Sequence, residues 1–160
     1  MPHRRVSVEL SSRETWNGYQ AKELGMPLMN WKEEFSVNVR SFDAQHKKLI
    51  DLINQLHEAM TRGRGKDVME RVIGELVMYT KFHFTNEEDL MRDTGFPGLE
   101  RHQQLHAELT RQVMEFQSAF TAGRTTLSVN LMVFLQEWLT NHIQGTDKQY
   151  SAFLKAKGVS

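Results

Sequence analysis

Five histidines and two carboxylates stand in this chain at spacings that suit metal ligation. They are His46, then His83 with Glu87, then His102 with His106, then His142 with Asp147. Imidazole nitrogens are borderline ligands and carboxylate oxygens are hard ones, so the set suits a pair of iron ions better than a lone zinc. No thiolate competes, because the chain has no cysteine. Nothing else in the sequence offers comparable chemistry. The question is whether one fold can bring these seven side chains together.

The elements that must do so are helices. Phe42, His46, Leu49, Ile50, Ile53, His57 and Met60 recur at three- and four-residue steps, which makes one helical face. Ser41 is read as the N-cap, and Gly63 and Gly65 as the stop. A second helix is predicted from Asp67 to Arg92, with Val68, Val72, Leu76, Tyr79, His83, Glu87 and Leu90 or Met91 inward. Gly95-Phe96-Pro97-Gly98 breaks it. The third, from Leu99 to Thr121, carries His102, Leu105, His106, Leu109, Val113 and Phe116, and Gly123 ends it. The fourth starts near Ser128 and carries Leu131, Leu135, Trp138, Leu139 and His142, with a short tail helix to Lys155. Four helices with short connections predict an all-α, antiparallel up-down-up-down four-helix bundle. The predicted domain covers residues 31–157. Residues 1–30, with Arg4, Arg5, Arg13, Trp16 and Tyr19 and no sustained period, read as an N-terminal extension or linker.

Residues four apart on a helix are offset by about 40° and stacked about 6 Å apart. His83 and Glu87 therefore point the same way, as do His102 and His106, and each pair falls on an apolar stripe. His46 and His83 lie at nearly equal distances from the turn at Gly63–Gly65, so they come level, and the other connections bring all four helices to one layer. Asp147 is the exception. Five residues after His142, it stands about 140° away on a regular helix. A break or π-type distortion is expected at 143–146, with Gly145 supplying the freedom and Thr146 capping a new turn.

A single histidine on an apolar face is more often a packed core residue than a ligand. His102-Gln103-Gln104-Leu105-His106 lacks the glutamate of a zinc-protease motif. The combination carries the reading, because burying all seven polar groups in one apolar layer without a metal would be very costly. His57 shares the face of His46 but lies about 16 Å along the axis, so it reads as a core or rim histidine. Glu88 reads as a solvated neighbour of Glu87, and the methionines as core filler.

Composition bounds the rest. At 160 residues the chain suits one domain. Lys+Arg and Asp+Glu are both 20, which argues against a nucleic-acid protein driven by bulk charge. The lack of cysteine fits a reducing cytosol, so a cytoplasmic location is expected. Arg4 and Arg5 are not followed by the apolar stretch of an export signal. No run of about 18 apolar residues predicts a membrane span.

These residues resemble the hemerythrin family in its single-domain bacterial form. The likeness covers about Trp31 to Phe153. It includes Trp31 with Phe35-Ser36-Val37, Phe42-Asp43-Ala44-Gln45-His46 and His83-Phe84-Thr85-Asn86-Glu87-Glu88. His102 with His106 and Trp138-Leu139-Thr140-Asn141-His142-Ile143, followed by Asp147, complete it. The resemblance implies a non-haem di-iron centre. By its pattern His102, His106 and His142 would hold one iron, and His46 and His83 the other. Glu87 and Asp147 would bridge them together with an oxo or hydroxo group. The ligand count agrees: the first iron is saturated and the second keeps an open position, which binding requires.

The implied function is reversible O2 binding for carriage, storage or sensing. O2 would bind end-on, as a hydroperoxide, at the iron held by His46 and His83. Leu49, Phe84, Trp138 and Leu139 would line a dry pocket. No catalytic residues are expected. Two further readings stand beside this one. The first is a di-iron peroxidase, oxidase or nitric-oxide reductase. Ferritin-type enzymes, however, use Glu-x-x-His pairs and more carboxylates; no histidine here has Glu three residues before it, and no acid beyond the ligands is evident. The second is an O2 or redox sensor acting through residues 1–30 on a partner protein. Dioxygen is the expected partner, with a protein client or sensing partner left open.

Overall fold

The computed structural model describes residues 26–160. Five α-helices follow a short 3-10 turn at Glu33–Phe35: α1 (Arg40–Thr61), α2 (Lys66–Thr94), α3 (Leu99–Thr121), α4 (Val129–Asn141) and α5 (Lys148–Ala156). A π-helical stretch, His142–Asp147, joins α4 to α5. Among the described residues there is no strand. Short connections force consecutive helices antiparallel, with α1 on α2, α2 on α3, and α4 back on α1. The result is the expected four-helix bundle with a short C-terminal helix.

Apolar stripes turn inward as their periodicity requires. Phe42, Leu49, Ile50, Ile53 and Leu56 of α1 meet Ile73, Leu76 and Val77 of α2 and Leu135 and Leu139 of α4 in one core. Val68 and Tyr79, expected inward, are only half-buried. Glycine stops α1, α2 and α3 in the same way. Gly63 (φ 60°), Gly95 (φ 71°) and Gly123 (φ 71°) adopt left-handed backbone. Each lets the chain close Schellman-type bonds, as in Arg64 N–H to the Ala59 carbonyl at 2.9 Å. Ser128 caps α4 as expected, accepting from Leu131 N–H at 3.2 Å.

The start of α1 corrects the sequence reading. Val39, not Ser41, is the N-cap, and Ser41 is exposed inside the first turn. Asp43 reaches back instead, accepting from Val37 N–H at 2.8 Å and from the Ser36 hydroxyl at 2.6 Å. This ties the preceding segment to the helix. That segment is a strap under the site end of the bundle: Phe35, Val37 and Val39 are buried. Ser151 donates to the Val37 carbonyl at 2.6 Å, and Lys148 donates to the Ser36 carbonyl. The strap therefore fixes α5. Leu28 and Met29 also pack on the bundle, Met29 through two bonds of 2.9 Å with the Asn54 amide. Residues 1–25 of the expected extension lie outside the described residues.

Candidate metal centre

All seven sequence-predicted ligands are brought together. Each is buried, none more than 6% exposed. α1 delivers His46, α2 delivers His83 and Glu87, α3 delivers His102 and His106, and the α4–α5 junction delivers His142 and Asp147. The junction is π-helical, as the spacing demanded. The wider i→i+5 turn absorbs one extra residue, so Asp147 faces the side that an i+4 partner would face on an α-helix. The chain does not break there. Gly145 has no left-handed φ, and an added Cβ would meet nothing within 4 Å. Thr146 does not cap a new turn, because helical backbone continues through Asp147 and Lys148. The expected roles of Gly145 and Thr146 are therefore corrected: the bonding pattern, not glycine, makes the room.

The two carboxylates divide the histidines. Glu87 Oε1 lies 3.4 Å from His83 Nε2 and 3.5 Å from His46 Nε2. Its Oε2 lies 3.4 Å from His106 Nε2 and 3.6 Å from His102 Nε2. Asp147 Oδ2 faces His46 Nε2 at 3.3 Å. Its Oδ1 faces His142 Nε2 at 3.0 Å and His102 Nε2 at 3.3 Å. Each carboxylate thus offers one oxygen to a two-histidine group and one to a three-histidine group. Two clusters able to hold a metal ion result, His46–His83–Glu87 and Glu87–His102–His106–His142–Asp147.

The donors fit cations better than they fit each other. His46 Nδ1 and Nε2, Glu87 Oε2, His102 Nε2 and both Asp147 oxygens are buried without a hydrogen-bond partner. His106 Nε2 and His142 Nε2 face each other at 3.0 Å. Buried oxygens and imidazole nitrogens that converge on one layer without partners are the arrangement a shared positive charge would satisfy.

The outer nitrogens are held so that Nε2 points inward. His83 Nδ1 donates to Gln45 Oε1 at 2.8 Å, and His106 Nδ1 to Glu88 Oε1 at 2.8 Å. Both acceptors lack a proton to give, so the Nδ1–H tautomer is selected and the lone pair is left on Nε2. Gln103 steadies Glu88 through a 3.1 Å bond to its other oxygen. Tyr150 donates its hydroxyl to Glu87 Oε1. Sequence reasoning missed Gln45, Glu88 and Tyr150 in these roles. Glu88 is not a solvated bystander: at 21% side-chain exposure it is an acid bound to His106, a histidine of the cluster. The signals were present, with Gln45 beside His46, Glu88 beside Glu87, and Tyr150 three residues after Asp147.

Charge in this dry layer is balanced internally. Burial lowers the His46 pKa, but the Asp147 and Glu87 carboxylates outweigh it and raise it to about 9. His102 is raised to about 9 by the same contest. Burial wins at His83, which falls to about 4. Burial pushes Glu87 up, yet His83, His102, His106 and His46 together hold it well below the carboxylate range. Asp147 is likewise held low by His142 and His102, against burial and Glu87. Burial, with Asp147 and Glu87 alongside, lifts Tyr150 well above its usual range, so it stays a donor.

Leu49, Phe84, Trp138 and Leu139, the predicted pocket residues, line one cavity of about 30 Å³ together with Ile53, Thr80 and Leu109. Phe84 and Trp138 also cover the three-histidine group. Phe84 stacks on His106 with centroids 3.6 Å apart and planes 4° apart, and Trp138 stacks on His142 at 4.4 Å. His57 is buried lower in α1 and takes no part in either cluster.

A family model described as the hemerythrin HHE cation binding domain matches residues 37–154. Bacteriohemerythrin from Stenotrophomonas maltophilia is 37% identical over 131 residues, covering 82% of this chain and 84% of that protein. Bacteriohemerythrin from Methylococcus capsulatus is 33% identical over 132 residues, covering 82% of this chain and all of that one. A wild-type hemerythrin crystal structure aligns with a TM-score of 0.75 at 32% identity, over 78% of this chain and 96% of that one. The match spans every helix that supplies a cluster residue, and a His/Glu/Asp cluster suited to metal lies where those helices meet: the chain belongs to the hemerythrin family of HHE cation-binding domains.

Proposed function

We propose that this protein binds O2 reversibly at a di-iron centre. In this reading His102, His106 and His142 hold one ion, His46 and His83 hold the other, and Glu87 and Asp147 serve both. The observation that carries it is the uneven division of nitrogen donors around two shared carboxylates. The side with two histidines is one donor short, and that is where a small ligand can enter. When bound, a ferrous pair supplies two electrons and an open coordination position to O2.

The chain's own residues do the rest. Gln45 and Glu88 hold the Nδ1 protons of His83 and His106, so neither ring can turn its lone pair away. Tyr150 keeps a hydroxyl donor on Glu87 Oε1. Leu49, Phe84, Trp138 and Leu139 exclude water from the layer above the clusters. That dryness favours release of bound O2 over its reduction, because no solvent proton is at hand. The enzyme reading gains one acid, Glu88. Its oxygens, however, engage His106 Nδ1 and Gln103 on the outer side of the ring, so it offers no proton inside the cluster. The lack of cysteine suits the reducing cytoplasm in which we place the protein.

The test is direct. Iron per chain is measured, the protein is reduced without air, and O2 is admitted and removed while the visible spectrum is recorded. A band that appears and disappears with O2 is the expected result. Irreversible conversion, or turnover of peroxide or nitric oxide, would favour an enzyme. Zinc in place of iron would sink the di-iron reading.

A further inference from the structure

We infer that Glu88 makes the two halves of the site electronically unequal: as a positioning residue for His106, its carboxylate lowers the reduction potential on the three-histidine side below that on the His46 and His83 side. The inference rests on the di-iron reading above. It starts from two hydrogen bonds of equal length and different chemistry. His106 Nδ1 donates to a carboxylate at 2.8 Å, and His83 Nδ1 to a neutral amide at 2.8 Å. A bond to an ionised acceptor is roughly twice as strong as a neutral one. It draws the Nδ1 proton outward and makes Nε2 the more basic ligand. A more basic ligand with net negative charge behind it favours the higher oxidation state.

The charge on Glu88 is not spent elsewhere. Among the described residues His106 is its ion-pair partner, and no lysine or arginine nitrogen lies within 4 Å of it. Lys81 and Arg111 border the same groove between α2 and α3, but neither forms an ion pair with Glu88, and Arg111 is engaged by Glu108 and Glu115. Gln103 fixes the far oxygen at 3.1 Å and Phe84 fixes the imidazole plane, so the geometry between carboxylate and ring is set from both ends. An ion held by His102, His106 and His142 would therefore be the easier of the two to oxidise.

The experiment loads the parent, Glu88→Gln, Glu88→Ala and Gln45→Glu proteins with iron. Each is titrated potentiometrically, with electron paramagnetic resonance and visible absorption as readouts. Helical circular dichroism confirms folding, which Glu88, being partly exposed, should not control. Losing an outer partner of a metal-bound histidine changes metal affinity about 10- to 100-fold, and solvent at the groove places Glu88 at the low end. Because the carboxylate favours the ferric form, that tenfold is assigned to the ferric-to-ferrous affinity ratio, and Glu88→Gln should then shift the first midpoint positive by about 59 mV, the one-electron equivalent of tenfold in that ratio. Gln45→Glu should shift the second midpoint negative and narrow the gap between the two. If Glu88→Ala moves the midpoint but Glu88→Gln restores it, the hydrogen bond acts without its charge and the inference fails. A parent with two irons per chain and an unmoved Glu88→Gln midpoint overturns this inference alone. A parent with fewer irons overturns the di-iron reading and this inference with it.

Discussion

Stripping metal from the protein would leave five cluster-facing atoms buried without hydrogen-bond partners: His46 Nε2, Glu87 Oε2, His102 Nε2 and both Asp147 oxygens. An unsatisfied buried polar atom costs about 1–3 kcal/mol. Even at the low end the five cost on the order of 5 kcal/mol, which rivals the whole stability of an ordinary domain, about 5–15 kcal/mol. Protons recover part of this. His46 and His102 are both raised to about 9, so in the metal-free protein they carry positive charge beside Glu87 and Asp147. We expect a net loss of about 3 kcal/mol on metal removal at neutral pH, which for a domain of this size lowers Tm by about 6–12 °C.

The pH dependence has a definite sign. The folded pKa values of His46 and His102 stand above the unfolded value, so their contribution is complete below about 6.5 and is lost as pH rises through about 9. His83, lowered to about 4, acts in the opposite sense and only below about 6.5, so it does not blur this window. The metal-free protein should lose at least about 1 kcal/mol per pH unit between about 7 and 9, and the loaded protein should stay nearly flat. Urea unfolding followed by circular dichroism, with and without a chelator, measures both. Equal stability with and without metal, within about 1 kcal/mol, would refute the reasoning.

Four further outcomes follow from the same geometry. His46→Ala or His83→Ala should lose about half of the bound iron and all O2 binding, while the three-histidine cluster still loads; iron analysis checks this, and retained O2 affinity counts against the assignment. Tyr150→Phe removes a donor from a buried carboxylate, worth about 1.5–3 kcal/mol, and should weaken metal retention in a chelator competition. Gly145→Ala should load metal normally and unfold within about 0.5 kcal/mol of the parent or above it, because the position is open and its backbone ordinary; severe loss would restore the glycine to a structural role. Leu49→Ala should cost about 2–5 kcal/mol, seen as a lower urea midpoint, and admit water beside the clusters, seen as faster irreversible oxidation.

Much of the site was legible because helices repeat every 3.6 residues. His83 with Glu87 and His102 with His106 advertise a shared face through spacing alone. The five-residue step from His142 to Asp147 announced a departure from the α-helix once both had to face one site, and a π-helical stretch stands there. The means of that departure was not legible. Gly145 and Thr146 look like a break, yet the backbone stays helical, because i→i+5 bonds need neither a left-handed residue nor a cap. Ser41 looked like a better cap than Val39. Asp43 prevailed because the preceding strap lies close enough for its carboxylate to reach.

The sequence by itself determined the helices, their inward faces, and which seven side chains meet. Those are consequences of local periodicity and short connections, and they survive without knowledge of any packing angle. Tertiary structure alone decided what surrounds the seven. Glu88 stands about 100° around α2 from Glu87, and only the approach of α3 determines whether that direction is water or His106. Gln45 meets His83 across the α1–α2 interface, and Tyr150 reaches Glu87 because the strap at 35–39 pins α5 beneath the site. The place of a cluster residue is written along one helix; its outer partner is a relation between two.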